Sequence, residues 1–196
     1  MHWPSKRKKM RKLRTIEMER LTVDEFKEAR KLPLVVILDD VRSLYNVGSV
    51  FRTCDAFRVE AICLCGITAT PPHPEIHKTA LGAEDSVAWK YFPTAKEAVE
   101  TMQREGRVVF AVEQAEKSQK MPFVLPSGTM ERPECPFGSF AVVLGNEVKG
   151  VHQEAIDSCD GCLEIPQFGT KHSMNVSVTA GIVIWEFARQ MMEAYR

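Results

Sequence analysis

Leu34-Val35-Val36-Ile37-Leu38 is an unbroken aliphatic run set between Pro33 and the acidic pair Asp39-Asp40. A strand with one wet face alternates apolar and polar residues, whereas a run that is apolar at every position belongs inside a parallel sheet covered on both faces. Just before it, residues 22–31 read as a helix, with Thr22 and Glu25 as a capping box and Pro33 closing the segment. Just after it, 39–46 reads as a polar loop and 47–57 as a helix. The alternation continues with strands expected at 59–65, 87–92, 107–112, 140–144 and 163–165. Helical stretches are expected at 73–81, 94–105 and 174–193, the last with Val178, Ile182, Trp185 and Met192 roughly on one stripe. Strands alternating with helices predict an α/β fold with a mainly parallel sheet flanked by helices. Residues 113–138, which hold Pro122, Pro126, Pro133 and Pro136, form the least regular stretch; connections this long inside a domain are usually functional or mobile.

Composition narrows the class. The chain has 196 residues, 44% hydrophobic and 27% charged, as expected of a globular domain. Its aliphatic runs are far shorter than the roughly 20 apolar residues that cross a bilayer, and the basic start is not followed by an apolar segment. A cytosolic protein with no membrane contact is therefore expected. The formal net charge of zero conceals an asymmetry: Lys6, Arg7, Lys8, Lys9, Arg11, Lys12 and Arg14 crowd the first 14 residues without an acid. Removing those seven from the 26 basic residues leaves 19 against 26 acids, a balance of −7. A basic arm on an acidic body predicts contact with a polyanion such as RNA. The six cysteines are expected to be reduced. Cys159-x-x-Cys162 lacks a second pair, and His73 and His77 lack the glutamate placement of a zinc protease helix, so no metal is expected.

Three predicted strands run into loops dense in small and polar residues, where an open parallel sheet binds its ligands. They are Asn46-Val47-Gly48-Ser49-Val50-Phe51-Arg52 after the first strand, Gly145-Asn146-Glu147-Val148-Lys149-Gly150 after Leu144, and Pro166-Gln167-Phe168-Gly169-Thr170-Lys171-His172-Ser173-Met174-Asn175-Val176-Ser177 after Ile165. No phosphate-cradling Gly-x-x-x-x-Gly-Lys loop and no Gly-x-Gly-x-x-Gly fingerprint is present. The glycines of the second and third loops are expected to let backbone amides approach a flat ligand closely.

In this order the three loops resemble the SpoU (TrmH-type) branch of the SPOUT RNA methyltransferases. The matching positions are Asn46, Gly48 and Arg52; Gly145, Asn146, Glu147 and Gly150; and Ile165, Pro166, Gly169, Ser173, Met174, Asn175, Val176 and Ser177. Leu44 stands where proline is often found, and Met174 where leucine is usual. The resemblance implies a C-terminal trefoil knot, S-adenosylmethionine as cofactor, and methylation of a ribose 2′-hydroxyl in RNA, tRNA before rRNA. It assigns the cofactor to Leu144, Gly145, Asn146, Glu147, Gly150, Ile165, Pro166, Gly169, Met174, Asn175, Val176 and Ser177. Arg52 is the expected activator of the acceptor, with Asn46, Asn175, Glu147 and Ser173 in support; Glu147 is expected either to pair with Arg52 or to receive a proton through water. A homodimer through the knotted region is expected, with 1–32 as a basic arm and helix and 33–196 as the methyltransferase domain. Rival readings are a non-catalytic RNA-binding or ribosome-assembly factor and a SPOUT base methyltransferase.

Overall fold

The aliphatic run sits at the middle of a seven-stranded, all-parallel sheet in the computed structural model, which describes residues 10–123, 125 and 138–191. In chain order the strands are β1 (Leu32–Asp39), β2 (Val59–Cys65), β3 (Ala88–Phe92), β4 (Val108–Val112), β5 (Gln119–Lys120), β6 (Phe140–Leu144) and β7 (Gly161–Glu164). Across the sheet the order is β3-β2-β1-β6-β4-β7-β5. The helices are α1 (Val23–Glu28), α2 (Leu44–Ala56), α3 (Pro74–Ala80), α4 (Ala83–Ser86), α5 (Ala95–Arg104), α6 (Gln153–Ser158) and α7 (Val176–Met191), preceded by a 3-10 turn over Thr15–Met18.

All eight residues of β1 are buried, and the pleat divides them between two cores. Leu34, Val36 and Leu38 face α2 and α7, where Phe51, Ile184 and Phe187 are fully buried. Val35 and Ile37 face Ala98 and Val99 of α5 and Ala155 of α6, and Cys63 and Cys65 of β2 join them on that side as small apolar groups. Burial pushes the Cys63 thiol up to about 12, so it is inert at neutral pH. Phe187 anchors the first core, with Phe140 and Phe123 tilted against it at centroid distances of 5.5 and 5.4 Å.

Several boundaries differ from the sequence reading. Pro33 lies inside β1 rather than before it, and the ladder register slips between Leu32 and Val35, as a residue without an N–H requires. Helix α1 has the expected Thr22–Glu25 capping box but ends at Glu28, where Lys31 Nζ takes the Lys27 and Ala29 carbonyls. Helix α2 starts at Leu44 because the Ser43 side chain caps it by accepting from Asn46 N, so Asn46 sits on a helical turn and not in a loop. Strand β5 and helices α4 and α6 were not expected; they have two, four and six residues, too few for a period to show. The described part of 113–138 is packed rather than loose, with Met121, Phe123 and Leu125 buried in the first core. The other residues of that stretch, Met192 and the last residues of the expected final helix lie outside the described residues.

Gly48 shows what its motif position is for. A Cβ there would stand 2.3 Å from the Ile76 carbonyl oxygen and 2.2 Å from Thr79 Oγ1, because α3 crosses α2 at that point. Gly48→Ala is expected to push the helices apart and cost about 1–3 kcal/mol, the range for overpacking a filled core, read as a lower urea midpoint; an unchanged midpoint contradicts this contact.

Candidate active site

The carboxyl ends of β1, β6, β4 and β7 lie side by side, and the expected loops leave from three of them. Sheet order reverses at β1, which has β2 on one side and β6 on the other, so the crevice opens at the switch point where ligands of open α/β sheets bind.

The loop after β6 is wound on itself. Asn146 and Gly150 exchange backbone hydrogen bonds of 3.0 and 2.9 Å, and Asn146 Oδ1 accepts from Val148 N and Lys149 N. Asn146 Nδ2 donates to the Asp40 carbonyl at 2.7 Å, tying the loop to the end of β1. The glycines here close the loop tightly. A Cβ on Gly145 would strike the Gly150 carbonyl carbon at 2.1 Å, and Gly150 has φ +71° with its Cβ direction filled by Glu113 Oε2. Gly169 has open space around it.

Glu147 is the hub. Its carboxylate accepts from Arg42 N and Ser43 N, both at 3.0 Å, and from Asn46 Nδ2 at 3.0 Å. Partial burial opposes its ionisation, but the Arg42 N–H, the Asn46 amide and the Ser43 N–H together hold its carboxyl below the usual range. Asn175 Nδ2 donates to Asn46 Oδ1 at 3.1 Å, and Asn175 Oδ1 caps α7 by accepting from Ser177 N and Val178 N. Asn46, Glu147 and Asn175, one from each motif, form a single bonded chain.

Beside that chain lies a cavity of about 270 Å³, lined among others by Leu144, Gly145, Asn146, Glu147, Gly150, Ile165, Ser173, Met174 and Val176. Glu113, Gln114 and Thr179 complete much of the wall and were missed by sequence reasoning; Glu113 follows a strand, as many polar residues do. Pro166, Gly169, Asn175 and Ser177 do not line it.

Arg52 lies elsewhere. It is exposed, makes no ion pair among the described residues, and lines a separate groove of about 900 Å³ together with Arg20, Arg58 and the segment 15–23. The expected pairing of Arg52 with Glu147 is not made. Six residues of helix carry Arg52 about 120° round α2 and roughly 9 Å along it from Asn46, and Glu147 is already occupied by N–H donors. In the basic arm, Arg11 forms a two-pronged pair with Glu17 at 2.9 Å and Arg14 lies 3.6 Å from the same carboxylate. Lys6, Arg7, Lys8 and Lys9 lie outside the described residues.

Outside the motifs, His152 fastens the second loop to β1. Asp39, 2% exposed, accepts from His152 N at 2.8 Å and meets His152 Nδ1 at 3.0 Å. Asp39, Asp40 and His152 are the one group among the described residues whose possible metal-ligand atoms lie within 4.8 Å of one another. The Cys159–Cys162 pair serves packing, with Cys162 Sγ on the Glu113 carbonyl. His73 caps α3, and His77 pairs with Glu84 at 2.6 Å.

The profile of the SpoU rRNA Methylase family matches residues 33–185. The chain belongs to this family. It is 29% identical over 181 residues to a tRNA (guanosine(18)-2′-O)-methyltransferase of Thermus thermophilus, covering 91% of this chain and 86% of that one. It is 31% identical over 170 residues to a 23S rRNA (guanosine-2′-O-)-methyltransferase of Nitrosomonas europaea, covering 86% of this chain and 61% of that one. The structure of an rRNA methyltransferase from Sinorhizobium meliloti, solved with S-adenosylmethionine bound, superposes with a TM-score of 0.68 at 25% identity over 83% of this chain and 61% of that one. This SpoU member is a methyltransferase, and S-adenosylmethionine is its methyl donor.

The cavity suits that donor. Its volume is near the lower end of the ~300–1,000 Å³ usual for ligand sites. Leu144, Ile165, Met174 and Val176 offer apolar walls for a flat base.

The Asp39 contact raises the His152 pKa above the ordinary 6.5, first through the side-chain hydrogen bond and then through the charge of Asp39. A raised folded-state pKa means stability that is fully present below the unfolded value and lost as pH rises through the folded one. An NMR titration of the His152 ring is expected to give a midpoint above 6.5 that falls in Asp39→Asn; a midpoint unmoved by that change refutes the coupling.

Proposed function

We propose that this SpoU methyltransferase acts on a ribose 2′-hydroxyl in RNA, tRNA before rRNA, with residues 1–32 as an RNA-gripping arm on a methyltransferase domain at 33–196. The single observation that carries the reading is the Glu147–Asn46–Asn175 chain beside the donor cavity, which makes one site of three distant motifs. The tRNA preference is supported by the alignment with the Thermus tRNA enzyme, which takes in 91% of this chain against 86% for the Nitrosomonas rRNA enzyme.

S-adenosylmethionine supplies an electrophilic methyl group on a sulfonium sulfur. The protein's tasks are to hold the acceptor oxygen in line, lower the cost of its proton, and exclude water. Leu144, Ile165, Met174 and Val176 would wall the donor. Asn46 and Asn175 each have a second amide N–H beyond the one used in the chain, available for a ribose or phosphate oxygen. Ser173, on the cavity wall, would orient the substrate phosphate. Arg52 is free to grip a backbone phosphate and to favour the alkoxide electrostatically. A guanidinium offers hydrogen-bond donors and no acceptor, so the hydroxyl proton would pass to water rather than to Arg52. Arg20 and Arg58 line the same groove as Arg52, together with Glu19, Asp55 and Asp85.

A homodimer through α7 is part of the same reading. Val178, Ile182 and Trp185 are 54%, 37% and 47% exposed while the opposite face of the helix is buried, so the stripe does not pack on its own sheet. The trefoil threading belongs here too, supported by membership of the SpoU family. A cytosolic location accords with the structure, where no helix among the described residues is long and apolar enough to cross a membrane.

Incubation with labelled S-adenosylmethionine and bulk tRNA or rRNA, followed by nucleoside analysis, is expected to yield a 2′-O-methylated nucleoside from tRNA. Label on a base favours the base-methylating alternative, and no label from either RNA favours a binding factor. In that assay Arg52→Ala is expected to lower turnover by about 100-fold or more, the scale of a lost electrostatic contact to a transition state, with donor affinity within a few-fold. Near-normal turnover rejects the assignment. Removing residues 1–14 is expected to weaken tRNA binding and flatten its salt dependence, since fewer phosphates are then neutralised; an unchanged salt slope in a filter-binding series rejects that role.

A further inference from the structure

Where β4 ends, Glu113 and Gln114 touch both loops of the donor cavity, and no motif includes them. Glu113 Oε2 accepts from Val151 N at 3.2 Å, at the close of the 145–150 loop, while Oε1 accepts from Gln114 N at 2.8 Å. Gln114 Nε2 donates to the His172 carbonyl at 2.6 Å, in the middle of the 165–175 loop. The backbone of Glu113 is itself fixed on β7: its N–H donates to the Leu163 carbonyl at 3.0 Å, and its carbonyl accepts from Cys162 Sγ at 3.4 Å. Gly150 is shaped to this carboxylate, since a Cβ there would lie 2.2 Å from Glu113 Oε2.

We propose that Glu113 and Gln114 are positioning residues that clamp the two S-adenosylmethionine-binding loops to the sheet and thereby set donor affinity. The clamp acts before chemistry. Loops held in one arrangement in the free protein need not be ordered when the donor enters, and that ordering cost is what preorganisation removes. The Asn46–Glu147–Asn175 chain links the loops to α2 on the acceptor side; Glu113 and Gln114 link them to β4 and β7 on the other side. Cutting the second link leaves the acceptor geometry intact. The inference rests on the donor occupying this cavity and not on the identity of the acceptor.

The test uses the full-length chain, with S-adenosylmethionine binding followed by calorimetry, turnover on RNA at saturating donor, and amide exchange at Val151. Glu113→Ala is expected to raise the donor Kd by about tenfold, the scale of one hydrogen bond to a charged group, and to speed exchange of the Val151 amide. Turnover at saturating donor and RNA affinity should stay within about threefold, because the Asn46–Glu147–Asn175 chain is untouched. Glu113→Gln, which keeps one acceptor oxygen, should recover part of the affinity, and Gln114→Ala should shift it the same way by less. A Glu113→Ala protein with donor Kd within twofold of the parent overturns the proposal, as does one whose loss lies in turnover at saturating donor. If Glu113→Ala does not fold, Gln114→Ala decides, because it removes a single exposed side-chain bond: unchanged donor affinity then overturns the clamp. A parent chain that binds donor but methylates no RNA would defeat the RNA reading and leave this one standing.

Discussion

One carboxylate holds the site in register. Glu147 takes two consecutive backbone N–H groups, from Arg42 and Ser43, and the side-chain amide of Asn46, so the loop after β6 is fastened to the turn that starts α2. Parallel pairing of Leu38 with Leu144 already brings the two strand ends together. The carboxylate then fixes the rotation of α2 about its axis, because two of its donors lie just before the helix and one lies in its first turn. The bond is charge-assisted and stays so at neutral pH, since its donors keep Glu147 ionised. From Asn46 the connection passes to Asn175, whose own oxygen caps α7. The first turns of two helices and one glycine-bounded loop therefore behave as a unit.

The sheet was legible because its signal is strong at the centre and needs no neighbours. A strand apolar at every position has few places to go, and β1, β6 and their flanking helices fall near where periodicity puts them. Legibility fades where structure is decided by contacts between distant residues. Ser43 starts α2 ahead of its apolar period because its hydroxyl meets Asn46 N. Strand β5 exists only because Gln119 and Lys120 find β7, and Pro33 is admitted to β1 by a register slip no pattern announces.

At the site, motif order named the residues but not their tasks. Asn46, Glu147 and Asn175 were expected to act together and are bonded together. Gly145 and Gly150 lie on the cavity wall, and, like Gly48, they lack a side chain where another part of the protein occupies the Cβ direction. Spacing in sequence could not show this, since the intruding atoms include those of Ile76, Thr79, Val151 and Glu113. Glu113 belongs to no motif, and its importance is visible only once its carboxylate is seen at the close of the 145–150 loop, with Gln114 beside it on the 165–175 loop.

The separation of Arg52 from Glu147 has a chemical consequence that the expected ion pair would have denied. A guanidinium bound to a carboxylate has its field largely cancelled and its donors occupied, and in that state it does little for a phosphate or a developing alkoxide. Here the carboxylate is satisfied by N–H groups that carry no net charge, and the arginine, a turn and two-thirds further along α2, makes no ion pair among the described residues. Helix α2 thus serves as a partition: its first turn braces the donor cavity and its later turns present a cation to the groove outside. An acceptor reaching across that helix meets a fixed hydrogen-bonded chain on one side and the Arg52 guanidinium on the other. Methyl transfer consumes the positive charge of the sulfonium and a lone pair of the acceptor oxygen, so a cation near the acceptor helps by lowering the cost of releasing the hydroxyl proton to water.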